Sequence, residues 1–562
     1  MNAANQQFGI VTNNDTSLAA LSFAANTGTV TLTQLIGAGS SIFAANASVS
    51  TFASGAATIA GTATITTMSS GSVTAQSFAA PAAGFHFNGG TLTVSGGAYS
   101  QSSGPLTIDG TNNPTLVLAA GATLSGVTAL NVGNGNGGSF HDTSNYTVGA
   151  AGVPASLAVQ NGGIATFDGT LSMASGGTLT LDTGGAIIAT NFDATTGTFN
   201  FNGGTLTVSS GSYTQSSGPL TIDGANSPAL VLASGATTSG VTSAIIGNAA
   251  TGALSVLGGS ALAFGGDASL GALAGSYGVA SVSGAGSTWT IGGNLYLGGS
   301  SAGAGGTGML TVDTGGTVSV AGTYELYGGS TLSIGSGGTF TAASLLAPGE
   351  ITNNGAIHGN VTIQSGGTLA GTGTITGDVV QQAGSVYSPG NSPGMQTVNG
   401  DVTWNSMTYS EQIANATGAA GTGYDSLAVL AFGSETGSLT IVPGSTIDVD
   451  VAAYPTSTSS VQNFTSSSSY DFILVTAAGG ITGTNSATFV IDTSGFTPGN
   501  PLNGGTFSIF ESANMQELML HYAPANVPEP ASLALVGLAA SAWAGSRWRR
   551  RKRGRESGIG IQ

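Results

Sequence analysis

The chain repeats itself, and the repeats limit what it can fold into. Residues 87–134 read FNGGTLTVSGGAYSQSSGPLTIDGTNNPTLVLAAGATLSGVTALNVGN, and residues 201–248 read FNGGTLTVSSGSYTQSSGPLTIDGANSPALVLASGATTSGVTSAIIGN. The offset is 114 residues without a gap, and 36 of 48 positions are identical. A shorter cadence runs beneath this duplication. Gly-Gly-Thr followed by alternating apolar residues begins at Gly89, Gly176, Gly203, Gly315, Gly337 and Gly366, the last three spaced by 22 and 29 residues. Self-similarity at such periods marks architectures built by stacking one small unit.

Each unit supplies a glycine turn and then a strand with one apolar face. A single strand of this kind cannot bury its face. Stacked rungs can, because every strand pairs with the ones above and below while aliphatic side chains fill a central core. The pattern therefore predicts an all-β fold, a right-handed β-helix or β-solenoid over residues 1–400. Rungs of roughly 20 residues would make a rod on the order of 90 Å long. A row of separate β-sandwiches is the competing arrangement. Near residue 400 glycine pairs thin out and longer apolar stretches appear, such as Tyr470-Asp471-Phe472-Ile473-Leu474-Val475. Residues 401–524 are expected to form a β cap or small sandwich that covers the last rung.

Charge narrows the function. Only 6% of residues are charged, and all seven basic ones lie at Arg547, Arg549, Arg550, Arg551, Lys552, Arg553 and Arg555. Residues 1–546 contain no Lys or Arg and hold every acid except Glu556. Nucleic-acid binding needs cations to neutralise phosphates, and phosphate-binding enzymes usually need them too. The long segment offers neither, which leaves neutral sugars and divalent cations as plausible contacts. The chain has no Cys, so disulfides and thiolate metal sites are excluded. Its first residues, MNAANQQFGIVTNNDTS, have no basic region and no long apolar run, so they do not read as a signal peptide. An export segment upstream of Met1 is the expectation.

Few residues offer chemistry. A hydrolase needs paired carboxylates at a defined separation, and Asp109 and Asp223 are candidates because they recur at the same place in the duplicated unit. Each lies in Leu-Thr-Ile-Asp-Gly, however, and Asp-Gly is a common turn signal. His86, His141, His358 and His521 are scattered without metal-ligand spacing, and none has a second His four residues on. Gly265-Gly266-Asp267 is a fragment of a calcium-binding Gly-Asp nonapeptide, so calcium between rungs is a weaker option beside no cofactor at all. The glycine-rich runs are not phosphate loops, since no Lys follows them.

The C-terminus carries the sharpest motif. Val527-Pro528-Glu529-Pro530 is followed by ASLALVGLAASAWAG and RWRRRKRGR. Residues 531–546 are uncharged and mostly apolar. Sixteen residues of helix span roughly 24 Å, slightly short for a bilayer core. The expected element is one short transmembrane helix, with Trp543 and Trp548 at the interface and the basic cluster as a cytoplasmic stop. An amphipathic surface helix or a nucleic-acid-binding tail is the alternative reading.

These residues resemble the PEP-CTERM sorting signal. The resemblance implies export, recognition of Val527–Pro530 by a membrane-embedded exosortase-type transpeptidase, and transient anchoring in the inner membrane of a Gram-negative bacterium. Release or attachment at the cell surface or in an extracellular matrix would follow. The middle of the chain resembles autotransporter passenger repeats and the repeats of PEP-CTERM surface proteins. The carrying residues are Gly366–Gly373, Ser388-Pro389-Gly390-Asn391-Ser392-Pro393-Gly394, Gly423-Tyr424-Asp425-Ser426-Leu427 and the stretch from Tyr470 to Gly483.

The function expected from all this is a non-enzymatic surface or matrix protein with a structural or adhesive role, with extracellular polysaccharide as a candidate partner. A polysaccharide-active β-helix enzyme is the first alternative, although lyases of that class typically use Arg or Lys as base. An autotransporter is the second, but it would require a C-terminal barrel of many alternating strands.

Overall fold

A computed structural model describes residues 89–525 throughout and, before them, the strands that lie between residues 6 and 86. The described residues are all-β: apart from one three-residue 3-10 turn at Thr484–Ser486, every regular element is a strand. Nearly all pairing is parallel, which fits the expected solenoid.

One rung is enough to define the geometry. Thr251–Leu257, Ala261–Phe264 and Ala268–Leu270 run along three walls, with sharp corners between them. The next rung repeats the order with Tyr277–Ser283, Thr288–Ile291 and Leu295–Leu297. Each strand pairs in parallel with its counterpart one turn later. Up to residue 400, turns range from 16 residues, between Leu345 and Val361, to 30 residues, between Ala280 and Leu310.

Strand parity decides what fills the interior. Leu310, Leu332, Ile351, Leu369 and Tyr387 stack in register on wall 1. Trp289, Val318, Phe340, Ile357 and Ile375 do so on wall 2. Leu295, Tyr324, Leu345, Val361 and Val379 do so on wall 3. All are essentially inaccessible to water, and the Thr and Ser residues between them face outward. Each such Leu or Ile contributes roughly 1.5–3 kcal/mol by burial.

The Gly-Gly-Thr motif has a separate reason for each glycine. Gly337 has φ 80°, a left-handed turn conformation that disfavours side chains. Gly338 does not, but a Cβ there would stand 2.2 Å from the carbonyl oxygen of Val312 on the preceding rung. The first glycine makes the corner, and the second lets two rungs approach.

Corners are also tied by side chains. Asn360 Oδ1 accepts the Asp378 N–H at 2.9 Å, Asp378 Oδ1 accepts the Asp401 N–H at 3.0 Å, and Asp401 Oδ1 accepts the Ser438 N–H at 2.8 Å. This ladder runs up the corner that leads into wall 3. Asp267, Asn294 and Thr323 make the same links lower on that corner.

Parallel pairing continues beyond residue 400. Thr408–Ile413 pairs with Thr446–Ala453, which pairs with Thr488–Gly495. The connections become longer, and antiparallel strands now close the end. Tyr470–Ala477 and Thr506–Glu511 both pair antiparallel with Glu517–Ala523. An aromatic group fastens this cap, with Phe464 centred 5.0 Å from Phe496 and 5.1 Å from Tyr522.

Wall 3 has one break within the fully described part. Thr198–Phe201 pairs back to Thr178–Leu181, and no described strand continues the ladder. The wall resumes at Pro219–Ile222, after Ser212–Ile222 shifts register around Gly218. The backbone of Phe85–His86, 114 residues before Phe199 and Asn200, also ends its own ladder. The break thus belongs to the duplicated unit.

Candidate functional site

The residues of the C-terminal signal, Val527, Pro528, Glu529 and Pro530, lie outside the described residues. So do Trp543 and Trp548 and the basic cluster Arg547, Arg549, Arg550, Arg551, Lys552, Arg553 and Arg555, together with the expected helix over 531–546. Among the described residues no helix is long and apolar enough to cross a membrane. The last described strand, Glu517–Ala523, is tied into the cap, so the signal follows directly from a folded end.

The structure keeps the tempting carboxylates apart. Asp109 and Asp223 are separated by five turns, through the ladder Leu116, Phe140, Ala165, Ile187, Leu206 and Leu230. Five turns are about 24 Å along the axis, far beyond the roughly 5–9.5 Å of a glycosidase pair. Asp109 Oδ1 accepts the N–H groups of Asn134 and Asn136 at 3.0 and 2.8 Å. Asp223 Oδ1 accepts those of Asn248, Ala249 and Ala250. Both organise the turn of the next rung. Slight burial works against ionisation of Asp109, but these N–H bonds outweigh it and hold the carboxyl below its usual range.

The histidines also stand apart. His141 Nε2 lies 3.0 Å from Asp168, and His521 Nδ1 lies 2.6 Å from Asp471. His358 is exposed on a wall strand, and of His86 only the backbone is described. Asp267, in the Gly-Asp fragment, uses Oδ1 to accept the Asn294 N–H at 2.7 Å.

The motifs of residues 388–483 converge instead. Gly394 donates its N–H to Asp425 Oδ1 at 2.8 Å, which joins the Ser388–Gly394 loop to the Gly423–Leu427 segment. A Cβ on Gly390 would stand 2.2 Å from the same oxygen. The third segment closes over them. Tyr409 Oη donates to the Leu474 carbonyl at 2.8 Å, Ser426 Oγ to the Ile473 carbonyl at 2.8 Å, and the Ile473 N–H to Tyr424 Oη at 3.2 Å.

Inside this junction sits a residue that the motif reading missed. Glu411 is 0% exposed, and neither carboxyl oxygen has a hydrogen-bond partner. Burial first, and the neighbouring Asp425 charge second, hold its carboxyl well above the usual range, against a weaker pull from the Asp425 backbone N–H, which lies outside good hydrogen-bond geometry. Asp425 is also 0% exposed, and its Oδ2 has no partner. Burial pushes Asp425 up to about 7, against the pull of its backbone bonds with Gly394 and Gln412. The signal was present in Thr408-Tyr409-Ser410-Glu411-Gln412-Ile413, where alternation puts an acid on the same side as Tyr409 and Ile413.

Fold and junction together define a parallel β-solenoid protein closed by an antiparallel cap. At its end, residues 526–551 match a family model described as the PEP-CTERM protein-sorting motif. The chain therefore carries that motif, which indicates an exported protein sorted by an exosortase. The comparison with curated proteins gave no match.

Proposed function

We propose that this protein is a non-catalytic structural or adhesive component of the cell surface or extracellular matrix, delivered there by exosortase-dependent sorting. The observation that carries the reading is the sorting motif at 526–551 attached to a long solenoid built without a single Lys or Arg. The conspicuous carboxylates of the solenoid support it, because Asp109, Asp223, Asp267, Asp378 and Asp401 each hold a backbone N–H of the following rung. Outward rows of Thr, Ser and Asn offer hydroxyl and amide groups suited to neutral extracellular polysaccharide.

Sorting is tested by Glu529→Ala in a host that makes the transpeptidase. Unprocessed protein accumulating in the inner membrane, measured by fractionation and blotting, is the expected result. Normal release would overturn the sorting step. The non-catalytic role is tested by incubating purified protein with acidic and neutral glycans. No shortening is expected; turnover abolished by an Asp substitution would assign an enzyme instead.

A further inference from the structure

Two buried acids without a cation partner are a costly arrangement. An ionised carboxylate taken out of water needs a compensating charge or several hydrogen bonds. Glu411 and Asp425 have neither in sufficient number. Every Lys and Arg lies at 547–555, beyond the described residues. His141, His358 and His521 sit on other strands, none of them at this junction.

A third group shares the junction. Gln396 is 0% exposed, and its Nε2 donates to the Ala370 carbonyl at 3.3 Å. That bond leaves Oε1 buried with no partner. Gln396 pairs with Leu427, two residues beyond Asp425, and lies two residues beyond Gly394, which bonds Asp425. Gln396 and Asp425 are therefore diagonal neighbours on the inward face. Glu411 Oε1 and Oε2 and Asp425 Oδ2, which stand close enough to interact, are buried and unpartnered, and so is Gln396 Oε1 at the neighbouring register position.

We propose that Glu411, Asp425 and Gln396 form a structural calcium site that locks the solenoid to its cap. All four donor atoms are oxygens, three from two carboxylates and one from an amide, which is the set a hard divalent cation takes. A dication balances both carboxylates. No thiol is present and no histidine joins the set, so a softer metal has nothing to prefer. The site goes beyond the proposed function and is independent of it, since purified full-length protein suffices to test it.

The test is calorimetric and thermal. Protein stripped with a chelator is titrated with calcium chloride, with magnesium chloride as the comparison, and its melting temperature is followed. One calcium per chain and a rise in melting temperature are expected, with magnesium much weaker. Glu411→Gln and Asp425→Asn should each weaken calcium binding at least about tenfold. The double variant carries no buried charge, so it should fold and melt independently of calcium. A wild-type protein that neither binds calcium nor melts higher in millimolar calcium would overturn the proposal. So would an equal calcium response in the double variant, which would place the ion elsewhere, such as at the exposed Asp448, Asp450 and Asp492.

Discussion

A Cβ placed on Gly240 would stand 1.8 Å from the carbonyl oxygen of Gln215 on the preceding rung, and Gly240 has φ 79°. Gly126 and Gln101 repeat the relationship in the first copy of the unit, again at 1.8 Å. The reason is the register shift after Ser212-Tyr213-Thr214, where the chain bulges and Gln215 Nε2 donates to the Gly218 carbonyl at 2.9 Å. Gly240→Ala should therefore cost at least about 2 kcal/mol, since backbone strain and a backbone clash combine. Gly235→Ala, at φ 85° with open space around the added atom, should cost only about 1 kcal/mol. Denaturant midpoints of the two variants check the order.

The corner ladder predicts a second difference. Asp378→Ala removes the acceptor that holds the Asp401 N–H and should lose about 1 kcal/mol. Asp378→Asn keeps a carbonyl oxygen in place, as Asn360 does one rung earlier, and should stay within a few tenths of the parent. Equal losses in both variants would show that charge, not the bond, holds the corner.

Asp142 gives a pH dependence with a definite sign. It is buried, and burial raises its carboxyl above the usual value despite bonds from the Ser144 Oγ and N–H. A raised acid in the folded state contributes stability that is fully present below the unfolded value, about 3.9, and lost as pH rises through the folded value. Asp142→Asn retains the Oδ1 acceptor without a charge to bury. The variant should match the parent near pH 3 and melt above it at pH 7. A parent that is the more stable of the two at pH 7 would contradict this.

Protease resistance follows from composition alone. Trypsin cuts after Lys and Arg, and residues 1–546 have none. Even fully denatured protein should yield one large fragment ending at Arg547, seen by intact mass. Smaller tryptic pieces would contradict this.

Much of the fold was legible because wall strands obey parity. Leu332 and Ile334 alternate with Thr331 and Ser333, and the structure buries the first two and turns the others out. The Gly-Gly-Thr cadence marked corners because one glycine is needed for φ and its neighbour for close approach. Other features depend on contacts that spacing does not encode. The break after Phe201 arises from a bulge around Gly218, and parity alone does not show which strand loses its partner. Glu411 is hard to see in the sequence because a single acid in a polar-looking strand reads as surface. The parity of Thr408–Ile413 turns that position inward, and Tyr470–Ala477 closes over the same junction at Tyr409 and Ser426. Asp425 was visible inside a motif, but its partner was not.

The two copies of the duplicated unit stand five whole turns apart, from Leu116 to Leu230. Copying a whole number of turns returns every residue to the wall it left, so the new segment joins its neighbours without a phase error. A copy ending part-way round would swing inward Leu and Ile onto the outer surface. Reach is therefore a quantity that can grow in whole turns of about 4.8 Å, by a single genetic event and without redesigning the core or the cap.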